Sequence, residues 1–384
     1  MSATPAQPPE PEGAALLRLP DPAERTPARK DDHLRLAAQT ASLHSCGTGL
    51  DRHRLVHRGL PGRDLAEVDL TTSLLGRTLA APVIVSAMTG GTTQAGVINA
   101  RLAAAATRHG IGLALGSGRA LLRDPSLLST YVGADRPPLL LANIGAPQLL
   151  APGGLDDAAR LVELLDADGL TVHLNPLQEA IQPEGEPQFR GLSSTLAVLC
   201  ASIAPVPVVV KEVGFGLAAD DVRELVEAGV AAIDVAGSGG TNWALVEGQR
   251  DPRARDVAAA FHAWGVPTAE AVRTAVAETR GRAAVIASGG LRDGVEATTC
   301  LALGATAAGF ARELLLAAQD DRAGDAVSVL VDQLRIATWL TGAARSADLG
   351  LHHLQAPPTG SVARLGDATD PALRVGPLAA EAAR

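Results

Sequence analysis

GLTVHLNPLQE, residues 169–179, opens as a short buried strand and closes on four hydrogen-bonding side chains, His173, Asn175, Gln178 and Glu179. Pro176 stops the strand, because it cannot donate to a ladder. A strand that ends in clustered polar groups is the pattern of an α/β protein whose site lies at the strand ends.

Seven further apolar runs share this form: PVIVSA (82–87), GLAL (112–115), PLLLAN (138–143), VPVVV (206–210), AAIDVA (231–236), AAVIA (283–287) and AAGF (307–310). They are continuous rather than alternating, so both faces are expected to be buried, as in a parallel sheet. Helical periodicity fills the intervals at 93–109, 155–167, 193–203, 218–228, 268–280 and 293–303. The crossover at 116–136 is shorter and less regular. Eight strands with repeated crossovers predict an α/β (β/α)8 TIM barrel. A doubly wound open sheet would use the same strands, since a count does not show closure.

Every run ends in polar or glycine residues. Met88-Thr89-Gly90-Gly91 follows the first, Gly116-Ser117-Gly118-Arg119 the second and Asn143 closes the third. Lys211 ends the fifth, Gly237–Asn242 follows the sixth, Ser288-Gly289-Gly290 the seventh and Ala311-Arg312 the eighth. In a closed barrel all these ends meet on one face.

The bulk composition bounds the function. The chain has 384 residues and a net charge of −9, which disfavours nucleic acid or an anionic membrane surface as partner. No apolar run reaches the roughly 18 residues of a membrane span, and the N-terminus has no signal-peptide pattern. Cys46, Cys200 and Cys300 are far apart and fit neither a disulfide framework nor a zinc site. A reducing, cytoplasmic setting is expected. Residues 1–27 and 351–384 read as tails flanking a barrel at 28–350, the first of them rich in Pro, Ala and Glu.

The glycine loops after runs six, seven and eight suit a phosphate, whose oxygens need backbone N–H groups without a Cβ in the way. One such loop alone fits any βα turn. Lys211, emerging from a buried strand, requires an anion: a ligand, a charged flavin ring or a carboxylate such as Glu212. Thr89, Ser117 and Asn143 suit the polar edge of a flat heterocycle. Together these groups resemble a cradle for flavin mononucleotide. Arg29-Lys30 and Arg119 could form a second anion site, although a charge run is more often a solvated surface. His173 and Asn175 are two apart on extended chain and are expected to point the same way. Gln178 and Glu179 are expected in a loop. Glu179 is a candidate Mg²⁺ ligand, a hard ion that takes one or two carboxylates together with substrate phosphates.

At this level the chain resembles the type 2 isopentenyl-diphosphate isomerases. The resemblance rests on RKDDH (29–33), SAMTGG (86–91), GSGR (116–119), ANIGAPQ (142–148), HLNPLQEAIQPEGE (173–186), KEVGFG (211–216), DVAGSGGTNW (234–243), SGGLRDG (288–294) and GFAR (309–312). It implies interconversion of isopentenyl and dimethylallyl diphosphate by a redox-neutral 1,3 proton shift in isoprenoid biosynthesis. It also implies reduced FMN as acid and base, Mg²⁺, and NADPH to reduce the flavin. Carried across, Arg29, Lys30, His33, Ser117, Arg119, His173, Asn175 and Gln178 would hold substrate, with Gln178 beside the reacting carbons and Glu179 on the metal. Ala87, Met88, Thr89, Ser117, Asn143, Lys211 and Ser238 would bind FMN, with Thr241, Gly289, Gly290, Leu291, Ala311 and Arg312. A homo-oligomer, tetramer or octamer, is implied too. One position departs: Gln is expected at 118, and Gly118 predicts a looser loop beside Arg119.

Two other readings use the same residues. An FMN-dependent oxidoreductase of the 2-hydroxy-acid oxidase type would recruit His173 as base, but would leave Gln178-Glu179 and Arg29-Lys30 without a role. A non-catalytic barrel scaffold would leave the glycine loops without one.

Overall fold

The computed structural model describes residue 30 and residues 32–355. Arg29 and the expected tail at 1–27 lie outside these residues. The barrel strands are β1 (Val83–Val85), β2 (Gly112–Ala114), β3 (Leu139–Gly145) and β4 (Gly169–Leu174), then β5 (Val208–Glu212), β6 (Ala232–Asp234), β7 (Ala284–Ala287) and β8 (Ala307–Phe310). Each pairs in parallel with the next, and β8 returns to β1 through Ala308 opposite Val83, which closes the barrel. The open-sheet alternative is thereby excluded.

Both faces of each strand are buried, as continuous apolar runs require. On β3, Leu139 and Leu141 point into the barrel with Ile84, Val209, Ala232 and Ile286. Leu140 and Ala142 point outward into the layer between strands and helices. A hairpin, Thr72–Leu74 with Arg77–Leu79, adds Leu74 and Leu79 to the interior cluster. Each fully buried Leu contributes roughly 1.5–3 kcal/mol by leaving water.

The inward parity carries on past this apolar layer, because residues two apart on a strand share a face. Above Leu141 comes Asn143, above Thr171 comes His173, above Val209 comes Lys211, above Ala232 comes Asp234 and above Ile286 comes Ser288. The barrel interior is therefore apolar through its middle and polar at its C-terminal end.

The expected helices form close to their predicted ranges, for example Thr93–His109, capped by the Thr92 hydroxyl, which accepts from the Ala95 N–H. Asp293 caps Gly294–Ala302 by accepting from the Glu296 N–H. The irregular crossover holds two short turns, Arg119–Arg123 and Pro125–Thr130.

Three expectations are corrected. Gln178 and Glu179 stand on a helix, Pro176–Ile181, and not in a loop. Pro176 occupies its first turn, where a missing N–H costs nothing. Residues 351–355, expected in the tail, belong to the fold: Leu351–His353 form a 3-10 turn and Leu354 bridges Leu55. The charged segment after Arg29 is helical at 32–37 and packs over the barrel mouth.

Candidate active site

A cavity of about 350 Å³ opens at the C-terminal ends of the strands. Its lining draws together residues that lie up to about 280 positions apart, from Lys30 to Arg312. The sequence-predicted Ala87, Met88, Thr89, Ser117 and Asn143 line one side. Lys211, Thr241, Gly289, Gly290 and Leu291 line another, with Ala311 and Arg312 beside them. Lys30, His33, Arg119, His173, Asn175, Gln178 and Glu179 complete the wall and the roof. Ser238 is the exception. It is fully buried, its Oγ lies 3.7 Å from Cys46 Sγ, and only its neighbours Gly237 and Gly239 reach the cavity.

The floor is the polar barrel layer. His173 Nδ1 lies 2.7 Å from Asn143 Oδ1. Burial, with help from the Lys211 charge, lowers the His173 pKa to about 4, so the ring is neutral near pH 7. A neutral ring that donates from Nδ1 to the amide oxygen keeps Nε2 as an acceptor. Lys211 Nζ donates to the Glu212 carbonyl at 2.8 Å and lies 3.8 Å from Asp234 Oδ2. Its carboxylate partner is thus Asp234 on the next strand. Glu212 points away, its carboxylate accepting from the Gly214 and Phe215 N–H groups.

The glycine loops pack backbone on backbone. A Cβ at Gly290, where φ is +75°, would stand 2.5 Å from Gly239 C, and one at Gly240 would stand 2.5 Å from Gly290 N. No side chain fits this seam, whose Gly239, Gly240, Gly289 and Gly290 line the cavity. Arg312 leans in beside it. Its Nη2 donates to the Ala38 carbonyl at 2.9 Å, while its buried Nε has no partner among the described residues. An orphan buried guanidinium N–H next to a Cβ-free seam fits a phosphate group, which accepts from both.

Helix Pro176–Ile181 forms the opposite wall. Asn175 Nδ2 donates to Gln178 Oε1 at 3.2 Å and to Glu179 Oε1 at 2.9 Å. Gln182 Nε2 and the Glu186 N–H both reach Glu179 Oε2, at 2.6 and 2.7 Å. These bonds occupy three of the roughly four acceptor positions of the Glu179 carboxylate. Asn175 Oδ1 is buried beside it with no partner among the described residues. Two hard oxygens with spare acceptor capacity suit a magnesium ion or its water. Among the described residues, no three His, Cys, Asp or Glu side chains gather as a metal cage.

Sequence reasoning missed Glu247. It stands on helix Trp243–Gly248, fully buried. Its Oε1 accepts from Gln178 Nε2 at 2.7 Å and lies 2.8 Å from His33 Nε2, and its Oε2 lies 2.6 Å from Arg250 Nη1. Burial alone would raise its pKa, but the bonds from His33, Gln178 and Arg250 outweigh that and bring it to about 2. Glu247 is therefore an anion at any physiological pH. The signal was a lone acid in the short run WALVEG (243–248) after a glycine loop.

The cationic groups sit at the rim. Arg119 pairs with Glu186 at 3.0 Å, and Gln148 steadies that carboxylate. Lys30 donates to the Gly90 carbonyl and, at 3.0 Å, to the Tyr131 hydroxyl, which itself donates to the Ser117 carbonyl at 2.8 Å. The GSGR loop is not loose. The Gly118 N–H donates to the Asn143 carbonyl at 2.8 Å, and a Cβ at 118 would meet Leu161 Cδ2 at 2.4 Å. Leu161 fills the space that a longer residue would need.

Comparisons with known proteins bear on this site. The profile of the FMN-dependent dehydrogenase family matches residues 190–356. Over 328 residues the chain is 49 % identical to the isopentenyl-diphosphate delta-isomerase of Xanthobacter autotrophicus, covering 82 % of this chain and 94 % of that one. It is 46 % identical to the enzyme of the same name from Stutzerimonas stutzeri, covering 84 % and 95 %. Among solved structures it is similar to a flavocytochrome b2 mutant with benzoylformate, at TM-score 0.64, 17 % identity and coverage of 96 % and 97 %. Mandelate oxidase with (S)-2-phenylpropionate superimposes at TM-score 0.58 and 20 % identity, covering 87 % and 96 %. At such identities the structural likeness shows the barrel fold alone.

Proposed function

The chain belongs to the isopentenyl-diphosphate delta-isomerase family, and from that premise we propose how its barrel mouth interconverts isopentenyl and dimethylallyl diphosphate. The reaction adds a proton to the terminal alkene carbon and removes one two carbons away, so no electrons are gained or lost overall. The observation that carries this reading is the pairing of a flavin-sized cradle with a separate wall of Gln178 and Glu179, backed by Glu247. A hydroxy-acid oxidase would need the first but has no use for the second, and the named relatives favour the isomerase.

FMN fits the cradle. The Gly289-Gly290 seam and Arg312 would hold its phosphate, and Lys211, Thr89 and Asn143 would hold its ring. Reduced FMN, when bound, supplies an electron-rich ring that favours positive charge on adjacent carbon and exchanges a proton with it. The chain itself does the rest. Lys211 presents an ammonium that favours an anionic ring. Neutral His173 offers an acceptor and adds no competing charge. Arg119, Lys30 and Ser117, with Arg29, His33 and Asn175, hold the substrate diphosphate. Glu179 would hold Mg²⁺, which would supply positive charge to the diphosphate. Gln178 is pinned at both ends of its amide, by Asn175 and Glu247, and orients the isoprene carbons. The apolar side of the mouth, with Leu34, Ala37 and Met88, keeps water from the charge that develops.

NADPH is assigned as the reductant of the flavin. A cytoplasmic setting suits the three cysteines, which are free in the structure. No described helix is long and apolar enough to cross a membrane. A homo-oligomeric assembly is assigned from the same family reading. Anaerobic incubation of the protein with isopentenyl diphosphate, omitting FMN, NADPH and Mg²⁺ in turn, tests the cofactor set. Product is expected only with all three, and product without FMN would overturn the reading.

A further inference from the structure

Asp234 has no place in the site as read from the sequence, and it does not line the cavity. It sits behind the lining. It is 4 % exposed on β6, directly across the strand ladder from Lys211 on β5. His173 on β4 is the next residue along the same ladder row, opposite Lys211 on its other side. From β7, the Ser288 hydroxyl donates to Asp234 Oδ1. One row of the barrel thus reads His173, Lys211, Asp234, and the Ser288 hydroxyl reaches it from just past the end of β7. The first is neutral, so this row carries one ammonium at the cavity wall and one carboxylate behind it.

The geometry of the pair is informative. A charge-assisted hydrogen bond from an ammonium to a carboxylate closes to about 2.7–2.9 Å. Lys211 and Asp234 stand at 3.8 Å, while Lys211 spends a proton on the Glu212 carbonyl at 2.8 Å. An ammonium has three donors. One is taken by Glu212, and none closes on Asp234 at 3.8 Å. Asp234 therefore offsets part of the Lys211 charge without consuming its hydrogen-bonding capacity. Ser288 fixes how strongly it does so, since its hydroxyl stabilises the carboxylate form. Burial pushes the Asp234 pKa up, and Lys211 and Ser288 oppose that rise.

We infer that Asp234 is a positioning residue that sets, through Lys211, how strongly the site prefers reduced, anionic FMN over the oxidised form. The inference rests on the reading that Lys211 would hold the FMN ring. An isomerase that only borrows its flavin must hold the reduced state without trapping it. A buried carboxylate at this distance tempers a lysine that would otherwise overstabilise the anion. With Asp234 neutral, the full Lys211 charge would face the ring.

The test is the midpoint potential of bound FMN in the full chain, read by spectroscopic titration against a reference dye, for the wild type, Asp234→Asn and Ser288→Ala. Asp234→Asn is expected to raise the affinity ratio for reduced over oxidised flavin at least tenfold, about 30 mV upward for a two-electron couple. Ser288→Ala is expected to shift the potential the same way by less. A structural role would alter FMN retention without a directed change in potential. An unchanged or lowered potential in Asp234→Asn that still holds FMN overturns the inference and leaves the proposed function standing. Should that variant lose its fold, Ser288→Ala decides, and no upward shift there overturns the inference. A wild-type protein that holds no FMN overturns both readings.

Discussion

Gln178 Nε2 donates to Glu247 Oε1 at 2.7 Å, which ties the helix after β4 to the helix after β6 across the mouth of the barrel. The contact spans 69 residues of sequence. Its acceptor is a fully buried anion whose charge His33 and Arg250 share. The Gln178 amide is therefore oriented by a charged group that lies behind it.

Glu247→Gln should lower kcat by about 10- to 100-fold, the usual scale for disturbed positioning. FMN retention should be unchanged, because the residues proposed to hold FMN lie on the other wall. Steady-state kinetics beside the flavin absorbance would read both. Loss of FMN with normal kcat per bound flavin would show that the helix supports the barrel and not the amide.

Glu179→Gln keeps the shape, turns one of the two acceptor oxygens into a donor and removes the charge that a hard cation needs. The Mg²⁺ concentration for half-maximal activity should rise at least tenfold, with FMN still bound. An unaltered Mg²⁺ dependence would remove Glu179 from the metal.

Gly290→Ala places a Cβ 2.5 Å from Gly239 C, at a φ of +75° that side chains seldom adopt. The strain is on the order of 1–3 kcal/mol, and it falls on the seam that would hold the flavin phosphate. We expect FMN affinity to fall more than thermal stability does. Equal FMN affinity in wild type and variant would place the phosphate elsewhere.

Two buried groups give stability opposite pH slopes. The folded His173 pKa is about 4, below its usual 6.5, so the unfolded chain takes up a proton first and stability falls as pH drops from 6.5 toward 4. The folded Glu212 pKa is raised by burial to about 7 from 4.5, so the unfolded chain ionises first and stability falls as pH rises from 4.5 toward 7. Between 4.5 and 6.5 the two offset each other in the wild type. Denaturant melts of His173→Asn should show stability rising toward pH 4.5, by at most about 1.4 kcal/mol per pH unit. Those of Glu212→Gln should show the reverse. Parallel profiles in the two variants would contradict the assignment.

Much of this was legible in the sequence, for a physical reason. Strands buried on both faces leave continuous apolar runs, and all eight are visible from PVIVSA (82–87) to AAGF (307–310). Closure was not legible, because the pairing of Ala308 with Val83 joins residues 225 positions apart (308 − 83) and leaves no local trace. Helix Pro176–Ile181 was hidden because six residues show no helical period and Pro176 reads as a breaker. The helix at 32–37 was hidden because its charges resemble a solvated run. Asp234 was in plain view as a charge inside AAIDVA (231–236), but a sequence does not say which neighbour on the next strand answers it.

The most direct measurement is the redox stoichiometry of turnover. Isopentenyl diphosphate is incubated anaerobically with the FMN-loaded protein, Mg²⁺ and a limiting amount of NADPH. Many equivalents of dimethylallyl diphosphate are expected per NADPH consumed, because the proton shift is redox-neutral. NADPH consumed one for one with product, or flavin reduced by a hydroxy acid with no isomerisation, would contradict it.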